Sequence, residues 1–144
     1  MGKSTIGVGG WTEEATTGMK GVAAGGGTQM MLDTSGDVWA KGTVSVGSGS
    51  WGEEATGGQS AIAAGSSGLQ MILDTSGNVW AKNTIGVGGW TQEATSGMKG
   101  VAAGGGTQMM LDTSGDVWGK ATTSINSSGW AEEITSGQAA VAAG

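Results

Sequence analysis

Four copies of a tryptophan–carboxylate motif contain most of the side chains in this sequence that could bind a ligand. Each copy has a tryptophan, one small or hydroxyl residue, Glu or Gln, and then Glu. An indole ring stacks on the C–H faces of a sugar, and a carboxylate accepts hydrogen bonds from hydroxyl groups. The pattern predicts repeated carbohydrate contacts, while the alternative is that each tryptophan fills the wedge between neighbouring repeats. The candidate ligand-binding residues are Trp11, Glu14, Trp51, Glu54, Trp90, Glu93, Trp130 and Glu133.

Catalytic chemistry is poorly supported, because the chain contains no His and no Cys. The usual nucleophile pairs and the ordinary zinc site are therefore excluded. Adjacent carboxylates such as Glu53 and Glu54 point to opposite faces of a strand, which makes them a poor acid–base couple. We predict a non-enzymatic protein with no catalytic residues, no cofactor and no metal. Carboxylate-based glycoside hydrolysis is the least disfavoured form of catalysis.

An Asp-Thr-Ser-Gly-Asp segment occupies residues 33–37 and again residues 112–116, and residues 74–78 end in Asn instead. Oxygen ligands at alternate positions resemble the first part of a calcium loop, but no downstream bidentate acid follows. The alternative is a hairpin turn, in which Asp caps the backbone and Gly takes a left-handed conformation. The spacing favours the turn.

Charge and hydropathy limit the partners. Six lysines against twelve acidic residues give a net charge of −6, so the chain lacks the cationic footprint of a nucleic-acid binder. No apolar run approaches a membrane span, and the N-terminus lacks the apolar stretch of a signal peptide. We expect no membrane insertion, and an extracellular or virion-surface protein would leave the cell by lysis or by assembly. The lysines predicted as solvated or edge-protecting charges are Lys20, Lys41, Lys82, Lys99 and Lys120.

The motif recurs about every 40 residues, because Trp11, Trp51, Trp90 and Trp130 are 40, 39 and 40 residues apart. Residues 4–41 and 83–120 are identical at 34 of 38 positions. A second class, Trp39, Trp80 and Trp118, follows Val, and its position within a strand favours a place in the core. Such periodicity predicts a repeat architecture in one domain, residues 1–144. The units are approximately 3–42, 43–82, 83–120 and a partial 121–144, about 3.6 per chain.

Each unit carries the signals of short strands. Residues 29–32 are apolar and end at the Asp-Gly turn, residues 38–41 have high strand propensity, and residues 21–25 are small. Residues 43–46 alternate with a period of two, whereas residues 13–20 have room for one helical turn at most. About four strands per 40 residues are typical of a propeller blade, with the small residues nearest the central channel. The predicted fold class is an all-β, propeller-like array of four-stranded repeats.

The phrase "VAAGGGTQMMLDTSGDVWAKG" at residues 22–42 resembles the repeat of the regulator-of-chromosome-condensation family, whose members are seven-bladed propellers. The shared features are a small inner strand ending in Gly, an apolar second strand, an acidic Gly turn and a Val–aromatic pair. The short, Trp-rich unit is also similar to the tectonin repeats of lectin propellers. The family's frequent His and its Pro-containing connection are absent here. The resemblance implies the fold, and no nucleotide-exchange or chromatin role is carried over.

The number of units is too small for a closed propeller, which takes about four to eight blades. An open array leaves two unpaired edges, which invite pairing with other chains. The N-terminal "STIGVGGW" matches the end of a blade, and the C-terminal "VAAG" matches the start of one. We therefore expect a homo-oligomer, with two chains closing a ring of about eight blade positions. The alternatives are a piece of a longer array and a compact monomer.

These features predict a multivalent binding module with lectin-like carbohydrate recognition at shallow Trp/Glu sites. Weak sites repeated around a ring gain about 10²–10⁴ in avidity when they engage together. The alternative is a structural or adhesive assembly subunit without a soluble ligand, such as a component of a phage fibre or an extracellular filament. A protein-interaction scaffold is a third interpretation.

Overall fold

In a computed structural model, which describes residues 15, 18–42, 51–86, 88–121 and 124–143, twelve strands form three four-stranded antiparallel sheets. The first sheet contains β1 (Met19–Gly25), β2 (Thr28–Asp33), β3 (Val38–Lys41) and β4 (Gly52–Ala55). The second contains β5 (Gln59–Ala64), β6 (Gln70–Asp74), β7 (Val79–Lys82) and β8 (Thr91–Ala94). The third contains β9 (Met98–Gly104), β10 (Thr107–Asp112), β11 (Val117–Lys120) and β12 (Ala131–Ile134). The predicted all-β, propeller-like fold class is confirmed.

Within each sheet the strands follow one another in sequence order, which is the meander of a propeller blade. The Asp-Gly turn joins the second strand to the third, and its glycine takes the positive φ that the turn requires, +83° at Gly77. The hairpin-turn interpretation of these segments is therefore confirmed. We refer to the three sheets as blades 1, 2 and 3.

The core lies between the blades and not within them. Met30, Val38 and Ala40 of blade 1 are buried in one cluster with Ile72 of blade 2, and Trp90 packs against that cluster. An equivalent cluster joins blades 2 and 3. Successive side chains of a strand point to opposite faces of the sheet, so one set packs against the preceding blade and the other set against the next blade.

Small residues let the inner strands approach closely. A Cβ added at Gly25 would lie 2.5 Å from the carbonyl oxygen of Ala64, on the inner strand of the next blade. The predicted small-residue strand at residues 21–25 is confirmed within β1, and the predicted strands at 29–32 and 38–41 lie within β2 and β3.

Two further expectations have different outcomes. The single helical turn allowed at residues 13–20 falls largely outside the described residues. The later copies of that segment begin on β4, β8 and β12, which pair with the Val-Trp strands. The predicted strand at residues 43–46 lies outside the described residues. Across the described ranges, no helix is long and apolar enough to cross a membrane.

Candidate functional site

The candidate glutamate of blade 1 is buried at the boundary with blade 2. Glu54 lies on β4, where strand alternation turns it away from the side occupied by Glu53, and it is only 1% exposed. Its carboxylate forms an ion pair with Lys82 at the end of β7. The two carboxylate oxygens also accept hydrogen bonds from the backbone N–H of Gly86, at 2.9 and 3.0 Å. The carboxylate is therefore already paired within the protein.

The tryptophan that joins this cluster comes from the next motif along the chain. The ring of Trp90 lies beneath the Lys82 ammonium, 4.6 Å from Nζ to the ring centroid. Its Nε1 donates a hydrogen bond to the backbone carbonyl of Glu54, at 3.2 Å. Lys82 also donates to the carbonyls of Gly86 and Gly88, so the loop before Trp90 wraps around the ammonium. The Lys82 ammonium is thus stabilised by both an ion pair and a cation–π interaction at a buried position.

The same arrangement returns between blades 2 and 3. Glu93 is 3% exposed, and its Oε2 lies 2.8 Å from Nζ of Lys120. Trp130 donates from Nε1 to the same oxygen at 3.1 Å, and its ring centroid is 4.8 Å from the ammonium. Lys120 donates a further hydrogen bond to the carbonyl of Asn126, at 2.8 Å. We call each Glu–Lys–Trp cluster a seam.

The structure therefore pairs the predicted residues across motifs. Trp90 contacts Glu54 and not Glu93, and Trp130 contacts Glu93. Sequence proximity suggested a sugar-binding pair within one motif, whereas the fold places Trp90 and Trp130 against the glutamate of the preceding blade. Trp51, Trp90 and Trp130 are half-buried.

Four candidate residues lie outside the two seams. Trp51 lies 4.8 Å from the buried Lys41 ammonium, and its Nε1 is buried without an acceptor among the described residues. Glu133 is exposed on β12, and the described part of the chain gives it no ion pair. Trp11 and Glu14 lie outside the described residues.

The burial of three lysines was not predicted from the sequence. Lys41, Lys82 and Lys120 are 2%, 2% and 4% exposed, so the prediction of solvated charges is wrong for these three. Lys20 and Lys99 are exposed as expected. Each buried lysine ends a Val-Trp strand and precedes a tryptophan by eight or ten residues, and this regular spacing was the one sequence feature that set these lysines apart from Lys20 and Lys99.

The acidic turns have a structural use. Asp74 accepts hydrogen bonds through Oδ1 from the backbone N–H groups of Ser76 and Asn78, both at 2.9 Å. Its Oδ2 accepts from the Asn78 amide at 2.8 Å and from the Trp80 indole at 3.1 Å. Burial raises the pKa of Asp74, but these hydrogen bonds outweigh it and hold the pKa below its usual value.

The turns of blades 1 and 3 repeat this pattern. The backbone N–H of Asp37 is the main cause of the lowered pKa of Asp33, and that of Asp116 plays the same part for Asp112. The indoles of Trp39 and Trp118 donate to these two carboxylates, at 3.4 and 3.2 Å. This tryptophan class is half-buried, and Trp80 and Trp118 pack against the inter-blade clusters, in agreement with the predicted core role. The described ranges contain no group of three His, Cys, Asp or Glu side chains able to hold a metal.

Comparisons with known proteins identify the fold. No protein-family model matches the chain, and no curated protein matches it in sequence. Among solved structures, it is similar to Prp20p of Saccharomyces cerevisiae, with a TM-score of 0.56, 16% identity, and coverage of 70% of this chain and 30% of that chain. Yeast RCC1 (Prp20) bound by Kap60 gives a TM-score of 0.54 and 14% identity, with coverage of 81% of this chain and 31% of that chain. Human WBSCR16 gives a TM-score of 0.56 and 14% identity, with coverage of 91% of this chain and 44% of that chain.

These neighbours are β-propellers of the RCC1 type, and the expected resemblance to regulator-of-chromosome-condensation repeats is confirmed at the level of fold. The similarity to tectonin repeats stays a prediction. The chain spans about a third to under half of the length of the structures it matches.

Proposed function

We propose that this chain is a non-enzymatic binding module that works by assembly, with its blades stacking on those of a second copy to complete a propeller ring. The observation that supports this proposal best is the pair of buried seams. Two described residues of the Trp-x-Glu-Glu motif are fully buried, namely Glu54 and Glu93. Each forms an ion pair in the contact between one blade and the next. The motif thus supplies contacts between neighbouring blades, and its repetition supplies such contacts at each boundary between blades.

The exposed apolar residues at the two ends support the same proposal. Val22 of blade 1 is 77% exposed, although its equivalents Ile62 and Val101 pack against the preceding blade. Ile134 of blade 3 is 49% exposed, whereas Ala55 and Ala94 at that position pack into the inter-blade clusters. Exposed faces of this kind mark interaction surfaces. A subunit of a phage fibre or an extracellular filament is the setting that we expect for such a module.

Self-association tests this proposal. We expect sedimentation equilibrium of the purified chain to give a mass above the 14.0 kDa of one copy at micromolar concentration. The mass should persist in high salt, since apolar and buried contacts are screened little. A mass of one chain at all concentrations would contradict the proposal.

Carbohydrate recognition is a second candidate, favoured by the partial exposure of Trp51, Trp90 and Trp130. An indole that reaches solvent at several equivalent places offers repeated stacking platforms, and multivalency would strengthen weak contacts. Because the carboxylates of Glu54 and Glu93 are held by lysines, a sugar would depend on the tryptophans and on exposed groups such as Glu133.

A glycan array combined with calorimetry separates the two candidates. For the assembly module, Trp130→Ala should lower the midpoint of thermal unfolding, because the indole packs against the core and donates to Glu93. No saturable glycan binding is expected from the unaltered chain. For a lectin, the unaltered chain should show saturable glycan binding, and the same substitution should abolish that binding in addition to lowering the unfolding midpoint.

A further inference from the structure

The first acidic position of the Trp-x-Glu-Glu motif lies on the same face of its blade as two tryptophans. Trp130 directly precedes β12, and because successive side chains of a strand alternate, Glu132 lies on the face of Trp130 and Glu133 on the other. The register of β12 on β11 also places Glu132 directly opposite Trp118. Both indoles pack against the cluster between blades 2 and 3, so this face is turned toward blade 2. Glu132 thus has one indole across the strand pair and a second along its own strand.

This group of side chains reaches solvent. Glu132 is exposed, and Trp118 and Trp130 are half-buried, so each indole keeps part of its surface in contact with water. Hydrogen bonds fix both rings, because Nε1 of Trp118 donates to Asp112 at 3.2 Å and Nε1 of Trp130 donates to Glu93 at 3.1 Å. Among the described residues the Glu132 carboxylate has no ion pair and no hydrogen bond. A fixed aromatic surface therefore lies beside a carboxylate that no described residue neutralises.

The seams show what an indole and a carboxylate bind together in this chain. The Lys120 ammonium lies 4.8 Å from the ring centroid of Trp130 and 2.8 Å from Oε2 of Glu93. The indole face attracts a cation, and the carboxylate adds a charge-assisted hydrogen bond. A cation is favoured over a neutral ligand at the surface group for the same reason, since only a cation neutralises Glu132.

We propose that Trp118, Trp130 and Glu132 form a surface site for the ammonium group of a lysine in a basic segment of a partner protein. The net charge of −6 adds long-range attraction for such a segment. The site lies at a boundary between two described blades of one chain, so it goes beyond the proposed assembly and does not depend on it.

The equivalent place between blades 1 and 2 has the same arrangement without the charge. Trp80 lies opposite Gln92 across the strand pair, and Trp90 directly precedes the strand that contains Gln92. Both indoles pack against the cluster between these blades. An amide oxygen accepts a hydrogen bond but does not neutralise a cation, so this place should bind an ammonium more weakly. The two boundaries thus offer a comparison of the charged and the neutral form of one site.

Titration with a short lysine peptide, followed through the indole N–H signals in NMR spectra, tests the site. The signals of Trp118 and Trp130 should shift saturably. The same peptide with acetylated lysines should cause no shift, because acetylation removes the charge. Glu132→Gln should weaken the binding of the lysine peptide by about threefold to fivefold, the contribution of an exposed ion pair. Because the Glu132 side chain is exposed, this variant should keep the fold, which circular dichroism checks.

The matched control is Glu133→Gln, which removes the same charge from the neighbouring exposed residue on the opposite face of β12. Non-specific attraction to an acidic protein would weaken equally in the two variants, whereas binding at the site weakens only in Glu132→Gln. Gln92→Glu should add saturable shifts at the indole of Trp90. Equal weakening in the two glutamine variants, or no saturable shift in the unaltered chain, would overturn the inference. Neither result bears on the proposed assembly, which sedimentation measures separately.

Discussion

At the scale of single residues, the buried lysines depend on partners that two neighbouring blades contribute. Each of Lys82 and Lys120 is removed from water and held by a carboxylate, a backbone carbonyl and an indole face. A buried charge is tolerated only when such partners replace its hydration. Changing one member of the cluster therefore requires a change in the others.

A double-mutant cycle measures this coupling. Lys120→Met leaves Glu93 buried without its partner, so we expect the free energy of unfolding to fall by about 3–5 kcal/mol. The double variant Lys120→Met with Glu93→Gln should lose less than the sum of the two single losses, since no buried charge remains. Chemical denaturation gives all four values.

Lys99→Met is the matched control, because it removes an exposed lysine from the same blade. Its cost should stay within about 0.5 kcal/mol. A cost for Lys120→Met no larger than that of Lys99→Met would show that the seam contributes nothing to stability.

The acidic turns predict a dependence on pH. The pKa of Asp74 is lower in the folded chain than in the unfolded one, so its ionised form contributes stability above pH of about 4, and the contribution is lost as the pH falls through the folded value. The variant Asp74→Asn should be less stable than the unaltered chain at pH 7, and the difference should shrink below pH of about 4. Ser76→Ala, in the same turn, should keep the original pH profile, because Ser76 contributes its backbone N–H. A constant difference between Asp74→Asn and the unaltered chain at all pH values would contradict this account.

At the scale of elements, the Asp-Gly turns connect one blade to the next. The carbonyl of Gly77 accepts a hydrogen bond from the N–H of Met98, which begins the inner strand of blade 3. A Cβ at Gly77 would lie 2.9 Å from the backbone nitrogen of Gly97. The turn thus needs glycine for its backbone conformation and for the close approach of the neighbouring blade.

Two glycines with positive φ allow the requirement for the backbone conformation to be separated from the requirement for space beside the neighbouring blade. Gly77 has φ of +83° and Gly97 has φ of +76°, but a Cβ at Gly97 would have no heavy atom within 4 Å. We expect Gly97→Ala to cost about 1–2 kcal/mol, the cost of the left-handed conformation alone. Gly77→Ala should cost more, because the turn must also move away from blade 3. Equal costs in thermal or chemical unfolding would show that the contact between the blades is unimportant.

The strands could be predicted from the sequence because each is bounded by glycine and has its own residue types. The small strand at residues 21–25 and the Val-Trp strand at residues 38–41 are examples. The pairing of Trp90 with Glu54 could not be predicted, since it depends on which blade each face of a strand meets. Burial of Lys82 was missed for the same reason: a lysine at a strand end has the pattern of a solvated charge until the neighbouring blade is in place.

At the scale of the whole molecule, blades 1 and 3 each pack against blade 2, and each exposes an apolar residue that the boundaries between the blades bury. Val22 and Ile134 are exposed where internal blades bury their equivalents, and Glu133 is exposed where the internal seams bury a glutamate. Closing a ring with a second copy would bury all three.

The number of copies in the assembled particle tests the central claim most directly. Native mass spectrometry of the unaltered chain counts those copies. A closed ring predicts a single dominant species of two chains that stays constant as the protein concentration is raised. A particle of one chain, or a ladder of species growing with concentration, would contradict closure by a second copy.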